Sequence, residues 1–138
     1  MNEEIIARAE AFLSTPHNCV LALVDADGYP TAATITPSSV EGIKRVTFGN
    51  HVESNWVQRV QQCDRASICF TMDSPECNIT LVGTVEVLAD DMAIKKAHWR
   101  NWMDGYYSGP EDAHFCVLWF TTRRYSLFVG GKQVRGMV

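Results

Sequence analysis

Apolar and polar positions alternate with a period of two along most of this chain, and three stretches break that rhythm with a helical one. The first is Asn2 to Leu13, where Ile5, Ile6, Ala9, Phe12 and Leu13 fall on one face. Ser14-Thr15-Pro16 ends it, because the residue before a proline is pushed away from helical geometry. A short apolar run, Cys19 to Val24, then reads as a strand covered on both faces. Asp25-Ala26-Asp27-Gly28 makes a hairpin connection into a second strand, Thr31 to Thr36, and Glu41-Gly42 turns the chain into a third, Lys44 to Phe48. In the second helical stretch Trp56, Val57, Val60 and Cys63 recur at helical spacing, with Ser54 as N-cap.

Two long antiparallel strands follow. In the first, Ala66, Ile68, Phe70 and Met72 face one way. In the second, Ile79, Leu81, Gly83, Val85 and Val87 do the same, and Asp73 to Glu76 is the turn between them. Asp90-Asp91 caps a third helix, predicted to reach Met103 with Gly105 past its end. Cys116 to Val129 is a last extended stretch, either two strands or one strand bent near Thr122 to Tyr125. Six strands joined by hairpins and one helical crossover leave fewer exposed edges when closed, so the pattern predicts a mostly β barrel with flanking helices in one domain, residues 1–138.

Composition narrows the function classes. Apolar residues make up 46% and charged residues 20% of the 138, which excludes disorder as the default. The net charge of -4 comes with acids and bases interleaved and no basic stripe, so no nucleic-acid partner is expected. The acidic N-terminus carries no signal-peptide core, and the longest apolar run is far short of the ~20 residues a membrane helix needs. No membrane association and a cytoplasmic location are expected. The odd count of five cysteines, with no C-x-x-C pair, points to free thiols. Scattered histidines give no metal-ligand spacing, and no phosphate loop, G-x-G-x-x-G or G-x-S-x-G elbow is present.

One segment has chemistry of its own. Gly49-Asn50-His51-Val52-Glu53-Ser54-Asn55-Trp56 leaves a strand and enters a helix, where free backbone N–H groups and the helix dipole either hold an anion or simply cap the helix.

The order of these pieces resembles the pyridoxamine 5'-phosphate oxidase-like split barrels. The resemblance is carried by D-A-D-G-Y-P before a β-branched strand, the Ser54-led helix, D-R-A-S-I-C-F, N-I-T-L-V-G-T-V-E-V, S-G-P-E-D-A and V-L-W-F. It runs from about Cys19 to Val129 and is most similar to the general-stress-protein-like flavin-binding branch. It implies a six-stranded antiparallel split barrel that binds FMN at a homodimer interface and acts as a flavin-dependent oxidoreductase on an unspecified small molecule. By the same resemblance Thr34, Ile35 and Thr36 run beside the flavin ring, Ser54-Asn55-Trp56 grips the phosphate, and Asn78 reaches the ring. Two departures stand out. The family often has arginine where this chain has Ala33, and lysine where it has Trp56; Arg59 or a cation of a partner subunit would have to replace them. Those losses keep open a cofactor-free or weakly binding barrel serving as a dimeric stress or interaction module, and a related cofactor such as deazaflavin or haem. Oxidation of pyridoxamine phosphate itself is not expected, because the segment Gly131 to Gly136 offers no counterpart of the substrate-binding tail.

Overall fold

The structure is a computed structural model and describes residues 2–72 and 76–138. The chain runs α1 (Asn2–Leu13), β1 (Cys19–Val24), β2 (Pro30–Ile35), β3 (Ser39–Glu41), β4 (Arg45–His51), α2 (Asn55–Gln62), β5 (Arg65–Met72), β6 (Cys77–Leu88), α3 (Met92–Ala97), a 3-10 helix (Asn101–Gly105), β7 (Phe115–Val129) and β8 (Lys132–Met137). Most of the expected turn at Asp73–Glu76 lies outside the described residues.

Among the described residues eight strands form one antiparallel sheet in the order β2-β1-β5-β6-β7-β4-β3, with β8 added to β7. The expected count of six strands is therefore corrected to eight, and the sheet is not closed by hydrogen bonds: β2 and β3 stand at its two ends. The extra strands are β3, three residues long, and the polar β8; neither is long or apolar enough to show a period in sequence. A hairpin through Gly130 and Gly131, at φ 58° and 83°, returns β8 onto β7, and backbone of that kind favours glycine.

β7 organises the sheet. Its first half pairs with β4 (Phe115↔His51 to Thr121↔Arg45) and its second half with β8, while β6 runs along its other edge. Between the halves the register with β6 slips by one: Val82 faces Arg124 and Gly83 faces Thr122, which leaves Arg123 as a bulge. The last extended stretch is thus one bent strand.

Alternation decides the core. Ile68, Phe70, Ile79, Leu81, Leu21, Leu23, Phe48 and Phe120 are fully buried, each contributing roughly 1.5–3 kcal/mol by leaving water. Ile5, Ala9 and Leu13 bury the predicted face of α1 against this cluster. A smaller cluster of Met103, Phe115 and Val117 packs with Leu88, Ile94, Trp99 and Tyr107.

The helix expected to reach Met103 is corrected. α3 stops at Ala97, Arg100 is extended at φ -130° and ψ 147°, and a 3-10 turn begins at Asn101. Asn101, Asp104 and Gly105 are weak helix formers, and Arg100 Nη1 donates to the freed carbonyls of Ala97 (3.1 Å) and Trp99 (2.8 Å). The expected caps both form: Ser54 Oγ accepts from Val57 N at 3.2 Å and Asp91 Oδ1 from Ile94 N at 3.1 Å.

Candidate functional site

A groove of about 410 Å³ lies between the end of β2 and the end of β4. Thr34, Ile35 and Thr36 form one wall, and Gly49, Asn50 and His51 the other. Trp56, from the first turn of α2, and Trp102, Met103, Tyr106 and Tyr107, from the 3-10 helix and just beyond, complete it. Among the described residues no Lys, Arg, Asp or Glu lines it.

Each wall has a local cause. β2 pairs with β1 on one side only, so its other edge carries N–H and C=O groups that no neighbouring strand takes. Gly49 sits where a Cβ would meet Met103 Cε at 2.6 Å and Phe115 Cε1 at 2.9 Å, so its lack of a side chain lets the 3-10 helix settle against β4. Asn50 is nearly buried; its Oδ1 accepts from His51 N at 3.0 Å, while its Nδ2 donates to no protein atom among the described residues. Trp56 packs against the main core and also borders the groove. Trp102 and Tyr106 are exposed, at 51% and 77%.

His51 is fixed by accepting from Glu53 N at Nδ1 (3.0 Å), and its ring stacks on His114 at 5.2 Å. His114 in turn leans on Asp112, whose carboxylate takes N–H bonds from Ser108 and His114. Those backbone donors hold the Asp112 pKa down to about 2. Tyr107, by contrast, is pushed up by burial, with the Cys116 thiol and Asp112 adding to the effect.

Of the residues singled out from the sequence, Thr34, Ile35, Thr36, Gly49, Asn50 and Trp56 meet in this groove. Ser54, Asn55 and Asn78 do not. Ser54 caps α2; Asn55 lines a separate depression with Asp25, Asp27, Gln58 and Arg59; Asn78 lies on the outer face of β6, its Oδ1 accepting from Thr80 Oγ1 at 3.3 Å. Arg59 therefore faces the Asp25 turn and not the groove. Ala33 is exposed on β2, opposite Leu21.

The sequence reading missed Trp102, Met103, Tyr106 and Tyr107. Their signal was a dense run of aromatics in an otherwise polar stretch, two of them exposed. Among the described residues no group of three or more His, Cys, Asp or Glu gathers to hold a metal. All five cysteines are free thiols; burial raises Cys19 to about 12 and Cys116 to about 11, so neither is a ready nucleophile.

The open sheet, with a groove between strands near its two ends, invites comparison with known proteins. The sequence profile of pyridoxamine 5'-phosphate oxidase matches residues 5–128. The chain belongs to the pyridoxamine 5'-phosphate oxidase family. Solved structures agree on the fold. A Clostridium acetobutylicum protein related to general stress protein 26 of Bacillus subtilis superposes with a TM-score of 0.85 at 20% identity, covering 100% of this chain and 97% of that one. General stress protein 26 of Bacillus anthracis gives 0.78 at 16%, covering 98% of each. A pyridoxamine 5'-phosphate oxidase-related, FMN-binding protein of Nostoc punctiforme gives 0.70 at 15%, covering 97% and 86%. Among curated proteins none matches. The mostly β, split-barrel reading of this family member thus holds, with eight strands in place of six.

Proposed function

We propose that this family member binds FMN, with the flavin ring in the groove at an interface between two copies of the chain, and acts as a flavin-dependent oxidoreductase. The observation that carries the reading is the chemistry of the lining. A slot without charged side chains among the described residues offers a free strand edge, the unengaged Nδ2 of Asn50, threonine hydroxyls and aromatic faces at Trp56, Trp102 and Tyr106. A planar heteroaromatic ring with several acceptors fits such a donor set, by stacking and by hydrogen bonding. Bound FMN would supply the electron and hydride chemistry; the protein's part is to hold and orient the ring and exclude water.

The outer face of the sheet supports pairing of two copies. Thr34, Val20, Cys69 and Thr80 follow one another across β2, β1, β5 and β6, uncharged and partly exposed. A row of neutral, partly exposed side chains of this kind suits a partner better than bulk water.

A visible spectrum and an FMN titration followed by flavin fluorescence test the proposal. Quenching is expected, and Asn50→Ala weakens affinity by about tenfold, the effect of one lost hydrogen bond. Unchanged fluorescence at high micromolar protein would overturn the FMN reading. The second reading, a cofactor-free dimeric module, is favoured by the groove having no Lys or Arg among the described residues. A colourless dimer indifferent to flavin is its signature.

A further inference from the structure

A second cavity, also about 410 Å³, adjoins the groove: the two share Thr36 and Trp102. His17, Asn18, Ser39 and Arg100 are among its other lining residues. None of its thirteen lining residues is Asp or Glu, although the chain holds 16 acids against 12 Lys and Arg. Among the described residues Arg100 is the one Lys or Arg on either cavity's wall.

Its guanidinium is held in place. Nη1 donates to Ala97 O and Trp99 O, while Nε and Nη2 donate to no protein atom among the described residues, and no carboxylate there lies within ion-pair reach. A fixed guanidinium with free N–H groups is the donor arrangement that phosphates and carboxylates take. Beside the seam, Thr36 Oγ1 donates to Asn18 Oδ1 at 2.7 Å, which turns the free Asn18 Nδ2 into a second donor. Burial disfavours a proton on the neighbouring His98, Arg100 and Arg45 add to that, and Glu41 opposes them.

We propose that this cavity is an anion-binding subsite, with Arg100 as its charge and Asn18 as a second donor, for the phosphate or carboxylate of a molecule whose ring occupies the groove. The ring's position rests on the function proposed above; the anion site itself does not. Two sources share this chemistry, the phosphate of FMN and the anionic group of a separate substrate.

The test uses the full chain, three probes (FMN, riboflavin and inorganic phosphate) and the variants Arg100→Gln, Arg100→Lys and Asn18→Ala. Millimolar phosphate is expected to raise the melting temperature of the wild type and to have little effect on Arg100→Gln. Asn18 is exposed, so Asn18→Ala keeps the fold and weakens the phosphate response several-fold. Arg100→Lys recovers part of it. If the phosphate of FMN is the occupant, a preference for FMN over riboflavin of about tenfold collapses in Arg100→Gln. If a separate substrate is, that preference is unaltered while the phosphate response is still lost. Should flavin not bind at all, the proposed function falls and the phosphate response alone decides the subsite. A phosphate response and an FMN preference that are both unchanged in Arg100→Gln and in Asn18→Ala would overturn the proposal.

Discussion

His98 shows how one side chain ties the fold to pH. Its Nδ1 lies 2.9 Å from Ser39 Oγ and 3.3 Å from Thr47 Oγ1, and its ring meets the edge of Trp119. Burial lowers its pKa, Arg100 and Arg45 lower it further, and Glu41 opposes them. The folded state thus prefers the neutral ring and the unfolded chain takes the proton first. This contribution is whole above the unfolded value of about 6.5 and is lost as pH falls below it. Melting temperature should drop between about pH 7 and pH 5, and His98→Gln should flatten that slope. Asp112 acts in a separate window: its pKa of about 2 makes its contribution present above the ordinary carboxylate value and lost on further acidification. Neither effect was legible in the sequence. Ser39 and Thr47 reach His98 only through the fold, and a histidine inside a helical pattern reads as an ordinary packed or surface residue.

Among the elements, β6 and β7 carry the decisive irregularity. At the Arg123 bulge β7 exchanges β4 for β8 as its neighbour, and Gly83 of β6 lies at the register shift. A Cβ there would run into the Thr121 carbonyl, which is backbone and has nowhere to go. Gly83→Ala is expected to destabilise by about 1–3 kcal/mol or more, read as a lower urea midpoint at unchanged slope. The strands themselves were plain from their alternation, since β5 and β6 each bury one face. The bend near Thr122 to Tyr125 was one of two readings, and the buried positions change phase there, from Phe120 and Thr122 to Tyr125 and Leu127. The exchange of β4 for β8 at that point was not legible, because it depends on which strand lies alongside. The break after α3 was hidden for a different reason. Lys95, Trp99 and Met103 keep helical spacing across a gap where the helix has stopped.

For the molecule as a whole, the ordered set of strands made the split barrel legible, while the lack of hydrogen-bonded closure between its two ends was not. Which strands hydrogen-bond is a matter of distances in space, and β3 and β8 are too short or too polar to announce themselves. The groove was legible in part for the same reason. Its β2, β4 and α2 residues lie in segments with turn and cap signals, whereas Trp102, Tyr106 and Tyr107 join it only because Gly49 admits Met103. The proposed pairing of two copies makes its own demand on the outer face. Val20 is 38% exposed at its centre, so Val20→Arg should leave melting of the separate chain unchanged and weaken self-association at least about tenfold. Sedimentation velocity over a range of concentrations reads this directly, and a wild type that stays monomeric at tens of micromolar would remove the interface.

The unpaired edge of β2 has one more consequence. No ladder links that wall of the groove to the β4 wall, so the gap between them can breathe without breaking a single strand-to-strand hydrogen bond. Amide protons along Pro30–Ile35 that point away from β1 should therefore trade for deuterium quickly in the empty protein. A ligand seated in the gap slows that exchange, while the amides of β5 and β6, paired on both sides, keep their rates. Mass spectrometry of the exchanged peptides would then register occupancy as a stiffening of one strand.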